Sequence, residues 1–301
     1  MPMSHNGERI NWQIADAVSK ESTTMSRLLL IGNKPEFKRG LEASSALAEC
    51  EIVTAAGNVG AVRQVRERLI DVVLTDPDTP VHDNLALVEE LRSSRPGLKA
   101  IVLAPAAASN EFIAAVRSHV FACFVAPIDI AEVAEMTKRA IDAVDWRDGI
   151  CVESGLPNWI ALKVSCGIIT AERLMHFMTE YSRDLPEDDR DSLIIAFREM
   201  LMNAMEHGAG FDPEKVTEVT AVRTERAIVY HFRDPGSGFN RTQLEQSALL
   251  NPEADPLEHL QHRAALGLRP GGFGILMAKQ VVDEMYYNER GNEVLLIKRL
   301  A

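Results

Sequence analysis

From Ser26 onward the chain alternates short β-rich runs with amphipathic segments five times, and no other feature restricts the fold so tightly. Strands separated by helices pair in parallel, and the helices then cover both faces of the sheet. The runs are RLLLIG from Arg27, EIVTA from Glu51, DVVLTD from Asp71, KAIVLAP from Lys99 and ACFVAP from Ala122. Between them, Leu87, Val88 and Leu91, and later Val133, Met136, Ala140 and Val144, recur at helical spacing and form core-facing stripes. The expectation is an α/β chain whose first domain, residues 26–146, is a doubly wound five-stranded parallel sheet behind a flexible segment 1–25. Ligands of such sheets gather at the carboxyl ends of the strands, here Gly32, Asn33, Asp76, Ala104 and Ala126.

The length of 301 residues is that of two ordinary domains at roughly 150 residues each. A composition of 46% hydrophobic and 25% charged residues fits packed globular cores. The net charge of -12 argues against nucleic acid as the main partner, because phosphate backbones are bound by clustered Lys and Arg. No apolar stretch approaches the roughly 20 residues of a membrane-spanning helix, and residues 1 to 26 lack a signal-peptide core, so the expected place is the cytoplasm. Cys50, Cys123, Cys151 and Cys166 fall at irregular separations without a CxxC pair, and are expected to be ordinary buried thiols.

After Asp145 the Gly- and Pro-containing stretch WRDGICVESGLPNW reads as a connection, which puts a second domain at residues 152–301. A strand-like IALKVSC precedes an amphipathic helix around Leu174 to Tyr181, and PEDD opens a further helix from about Asp189 to His207. In that helix Leu193, Phe197, Met200, Leu201 and Ala204 form a packing stripe, and Glu199 and Asn203 project together beside it. Next comes DPGSGF, after the strand AIVYHFR. Asp234 can accept a hydrogen bond from an exocyclic amine, and Gly236 and Gly238 permit backbone shapes closed to other residues. Gly272 and Gly274 then open the helix of GGFGILMAKQVVDEM, where free N–H groups and the helix dipole favour phosphate. An amine acceptor suits an adenine and a phosphate-favouring turn suits a polyphosphate tail, and together they point to ATP.

Two resemblances sharpen this. DVVLTDPDTP resembles the third strand of two-component receiver domains and puts Asp76 where that family carries its phospho-accepting aspartate. The family's acidic pair after the first strand is replaced here by Gly32 and Asn33, its hydroxyl residue by Ala104 and its lysine by Ala126. Without the metal and cationic partners, transfer to Asp76 loses its charge stabilisation, so this half reads as a pseudo-receiver used for dimerisation or docking.

REMLMNAMEHG, DPGSGF and GGFGILMAKQVVDEM resemble the N, G1 and G2 boxes of the gyrase, heat-shock chaperone, histidine kinase and MutL ATPase superfamily. NAxxHG and the late VVDEMYYNERGNEVLLIKRL are similar to its anti-sigma regulatory serine-kinase branch. The resemblance implies a two-layer α/β sandwich of helices on a mixed sheet. It makes Glu199 the general base, Asn203 the Mg2+ ligand and Asp234 the adenine reader, with Gly236, Gly238, Gly272 and Gly274 shaping the pocket. The segment 240–270, longer than the usual lid of that branch, is a departure. The implied function is a bacterial signalling kinase for serine or threonine that phosphorylates a STAS-type anti-sigma-factor antagonist and sequesters a sigma factor, with a homodimer expected. The alternatives are a nucleotide-gated binding module without phosphotransfer and an atypical response regulator with an ATPase output. A histidine kinase would need a phosphorylatable histidine, and His176 in LMHFMTEY lacks the acidic neighbour expected after it.

Overall fold

The computed structural model describes residues 25–143, 146–238 and 274–300. Gly272, Val144, the segment 1–24 and the interval 240–270 lie outside the described residues.

In the first half, strands β1 (Ser26–Ile31), β2 (Cys50–Ala55), β3 (Val72–Leu74), β4 (Lys99–Ala104) and β5 (Ala122–Val125) form a parallel sheet in the order β2-β1-β3-β4-β5. This is the doubly wound order that receiver domains share with flavodoxin. Alternation along β1 shows why both faces must be covered. Leu28 and Leu30 pack with Phe37 of α1 (Pro35–Glu42) and Val133 of α5 (Ile130–Asp142). Leu29 and Ile31 turn the other way, against Val65 of α2 (Asn58–Glu67) and Leu87 and Leu91 of α3 (Val81–Ser94). All four β1 side chains are buried, each contributing about 1.5–3 kcal/mol relative to exposure.

The second half is a six-stranded sheet of β6 (Ile150–Leu156), β7 (Trp159–Ser165), β8 (Val216–Arg223), β9 (Ala227–Arg233), β10 (Glu284–Tyr287) and β11 (Glu293–Arg299), ordered β10-β11-β9-β8-β7-β6. Every pairing among the described residues is antiparallel, where the resemblance implied a mixed sheet. Helices α6 (Ile168–Tyr181), α7 (Glu187–Asn203) and α8 (Gly274–Val281) belong to this half. The side chains of Ile228, Tyr230 and Phe232 point into the core from β9, and Phe197 of α7 meets both rings edge-on at 5.0 Å. Strand β6 begins inside the stretch read as a connection. Pro157 and Asn158 make the β6–β7 hairpin turn, and within β6 Gly155 is needed because Ile113 of α4 (Ser109–Arg117) lies where a side chain would project. Cys123 and Cys166 are buried as expected, but Cys50 is only half-buried, and Cys151, on edge strand β6, is exposed.

The two halves share one core. Phe112, Ile113 and Val120 pack in the same cluster as Ile160, Leu174 and Phe177. Strand β5 is the edge of the parallel sheet, and α6 seals it with side-chain donors instead of another strand. Arg173, 1% exposed, donates through Nε to the Phe121 carbonyl (3.0 Å) and through Nη2 to the Val120 carbonyl (2.9 Å) and the Asp148 carboxylate (2.6 Å). Its guanidinium also lies 5.2 Å from the ring centroids of Phe121 and Trp146. His176 Nε2 donates to the Cys123 carbonyl at 2.8 Å, and Arg183 reaches the carbonyls of Val125 and Pro127.

Candidate functional site

The site is built around α7. Glu187, Asp188 and Asp189 occupy its first turn, where carboxylates complement the positive end of the dipole. Leu193, Phe197, Met200 and Leu201 are buried, which fixes the helix rotation and leaves Glu199 and Asn203 only partly covered beside the stripe. The helix then widens into a π turn at Ala204–Gly208, a distortion frequent at functional sites.

Both ends of this segment meet a glycine turn. At one end α8 packs on α7, with the Glu199 carboxylate against Gly274, so any side chain at Gly274 would collide with it. At the other end the Asp234 carboxyl lies on Gly208, and a methyl group at Gly208 would run into it. Nine residues separate Glu199 from Gly208, about 13 Å of helix rise. A base held at one end and a phosphate tail at the other need a separation of that kind.

Asp234 ends β9, and its Oδ1 accepts the Gly236 N–H at 2.8 Å. Partial burial pushes its carboxyl above the ordinary range, while the Gly236 N–H and the Arg290 charge pull it back. Gly238 has φ +79°, and the Arg290 carbonyl fills the space where a side chain would stand, so only glycine closes this turn. The Asn203 Nδ2 is buried with no partner among the described residues. That nitrogen is a donor, so its natural partner is an acceptor such as a phosphate oxygen, whereas a cation would be taken by the Oδ1 of the same carboxamide.

The structure therefore brings Glu199, Asn203, Asp234, Gly236, Gly238 and Gly274 into one region along α7; Gly272 lies outside the described residues. Sequence reasoning missed Gly208, Asn292 and Arg290. The Asp234 N–H donates to the Asn292 carbonyl at 3.0 Å, and Asn292 Nδ2 donates back to the Asp234 carbonyl at 3.2 Å. Arg290 donates to the carbonyls of Gly236 (3.1 Å) and Ser237 (3.2 Å). The available signals were the last glycine of NAMEHG and the turn-forming NERGN between two strand-like runs.

In the parallel sheet, Asp76 follows β3 and its Oδ1 accepts the Asp78 N–H at 3.0 Å. Gly32, at φ +102°, faces it so closely that a methyl group there would sit 2.9 Å from the carboxyl carbon. The nearby Lys34 is committed to Asp78 at 2.6 Å. Ala104 and Ala126 supply neither hydroxyl nor cation. His176 is packed over Phe124 with ring centroids 4.2 Å apart, and desolvation pushes its pKa down to about 4. It is a neutral donor that helps join the two halves.

The geometry defines a doubly wound parallel domain joined to an antiparallel sheet-and-helix domain in which α7 and its π turn meet Gly274 at one end and Asp234, over Gly208, at the other. Residues 169–298 match the family model of the histidine kinase-like ATPase domain, so this part of the chain carries such a domain. Over 138 residues the chain is 25% identical to the transcriptional regulatory protein GlrR of Escherichia coli (strain K12) and to the transcriptional regulatory protein QseF of Escherichia coli O157:H7. The matches cover 44% of this chain and 31% of each relative, so the chain spans about a third of their length. Among solved structures it is similar to a CheY-like response regulator receiver domain from Methanospirillum hungatei JF-1, with 20% identity, TM-score 0.35, and 40% of this chain and 95% of that one covered. It is likewise similar to a pilus assembly protein CpaE from Caulobacter crescentus CB15, with 15% identity, TM-score 0.33, and 37% and 95% covered. Among the described residues no helix is long and apolar enough to cross a membrane.

Proposed function

We propose that the chain is a signalling regulator whose ATPase-like half binds Mg-ATP and acts as a serine/threonine protein kinase and partner switch, with the receiver-like half as its docking and control domain. The observation that carries this reading is the placement of Glu199 and Asn203 on one helix segment flanked by Gly274 and, through Gly208, by Asp234. Asp234 would hold the adenine amine, Asn203 the Mg2+ and Gly274 the phosphates. Mg-ATP would supply a transferable phosphoryl group. Glu199, a carboxylate at the phosphate end, would accept the proton of a partner serine hydroxyl as its oxygen bonds to the γ-phosphorus, while the bond from that phosphorus to the β–γ bridging oxygen breaks and ADP leaves. A small STAS-type anti-sigma-factor antagonist is the proposed substrate and a sigma factor the sequestered partner. The net charge of -12 favours proteins over nucleic acid.

A nucleotide gate without transfer is favoured by the contact of Glu199 with Gly274, since phosphates entering there must move the carboxylate or α8. Incubation of the full chain with labelled ATP and a candidate antagonist separates the two. Kinase action predicts label on a partner serine and its loss in Glu199→Ala. Nucleotide-dependent partner affinity with no label on the partner would leave only the gate.

A further inference from the structure

The turn that carries Asp234 is not held by its own strand alone. Asn288 builds the tip of the β10–β11 hairpin, its Oδ1 accepting N–H groups from Gly291 (2.7 Å), Asn292 (3.1 Å) and Glu293 (3.3 Å). Its Nδ2 donates to Asn292 Oδ1 at 3.0 Å, so the Asn292 carboxamide is fixed from behind. Asn292 is 7% exposed, and it brackets the Asp234 backbone with its own carbonyl and its Nδ2. Arg290, at the exposed tip, grips the Gly236 and Ser237 carbonyls, and its own carbonyl backs Gly238. A Gly-containing turn that must present one carboxylate has a large conformational entropy to lose, and these groups remove that freedom before any ligand arrives.

We propose that Asn292 and Arg290 are positioning residues for base recognition: the hairpin tip sets the Asp234–Gly238 turn so that the Asp234 carboxylate meets an exocyclic amine, which gives the site its preference for adenine. The proposal rests on the nucleotide reading above. It adds that specificity is written partly in β10–β11, far along the chain from the turn itself. Neither side chain touches the ligand; both act through Asp234.

The test uses the full chain and compares titrations with Mg-ATP and Mg-inosine triphosphate, whose base has an oxo group where adenine has its amine. The wild type is expected to prefer ATP on the order of tenfold or more, the worth of one hydrogen bond to a charged acceptor. Arg290→Ala and Asn292→Ala are expected to bring the ratio to within about threefold while inosine triphosphate affinity stays at the wild-type level. Because Arg290 is exposed, its variant serves if the buried Asn292→Ala fails to fold. Retention of the full preference in Arg290→Ala, or an equal loss for both nucleotides, would overturn the positioning role. A wild type that binds both nucleotides equally would overturn it too. Failure to bind either nucleotide would instead remove the nucleotide reading, and the positioning role with it.

Discussion

Arg173→Met tests the claim that α6 makes one body of the two halves. The substitution keeps length and apolar bulk but removes every donor that Arg173 directs at the Val120, Phe121 and Asp148 carbonyls and at the Asp148 carboxylate. Desolvation already pulls the guanidinium below its ordinary pKa, opposed by Asp148, so the charge is held only by this partner set. Breaking a buried pair from one side costs about 3–5 kcal/mol, and each carbonyl left dry adds on the order of 1 kcal/mol unless water enters. Asp148, whose side chain is 17% exposed and keeps His119 as a neighbour at 2.8 Å, softens the loss. A net loss of about 4 kcal/mol corresponds to a drop in Tm on the order of 10 °C for a unit of this size. Thermal unfolding of the full chain followed by tryptophan fluorescence reads it directly, because Trp146 stacks on Arg173. Asp148→Asn in the same background should add much less than it does alone, as contacting residues do. A fall of less than about 3 °C, or unfolding in two separate steps already in the wild type, would refute a shared core held by this side chain.

Gly208→Val should weaken Mg-ATP binding by tenfold or more without large loss of stability, since the new side chain displaces the Asp234 side chain rather than a core residue; calorimetric titration of the full chain checks it. Gly32→Asp, which rebuilds half of a receiver's acidic pair, should cost about 1–2 kcal/mol from its φ of +102° and more from crowding Asp76; a gain in Mg2+ affinity at unchanged Tm would contradict the reading of this end of the sheet. His176 carries a sign-determined pH effect. It titrates near 6.5 when unfolded and near 4 when folded, so the folded state binds fewer protons between those values. Its stabilisation is complete above about pH 6.5 and is lost as pH falls toward 4, roughly 3 kcal/mol in all. Urea midpoints at pH 7 and pH 4.5 should converge in His176→Phe relative to wild type.

The parallel half was legible because its strands are short, apolar and separated by amphipathic helices. Each run from RLLLIG to ACFVAP coincides with a strand to within a residue or two. Asp76 and its missing partners could also be located, since they sit at strand ends that periodicity alone identifies. What stayed hidden depends on contacts between distant stretches. Strand β6 was masked by its own hairpin turn residues, and its seat against α4 rests on Gly155 fitting Ile113. The role of Arg173 could not be read from LMHFMTEY or its flanks, because a lone arginine in an amphipathic helix is ordinarily solvated, and here it is buried by an edge strand fifty residues upstream. The three boxes stood out as motifs in the sequence, whereas the brace on Asp234 did not. NERGN announces a turn but not what the turn touches.

Hydrogen exchange of the full chain with and without Mg-ATP tests most directly whether three separated stretches enclose one nucleotide. Protection rising together at the C-terminal end of α7, at Asp234–Gly238 and at the start of α8, with the parallel sheet unchanged at β2 and α2, is the predicted result. Protection confined to one of these stretches, or appearing instead at the carboxyl ends of β1 and β3 around Asp76, would contradict the account.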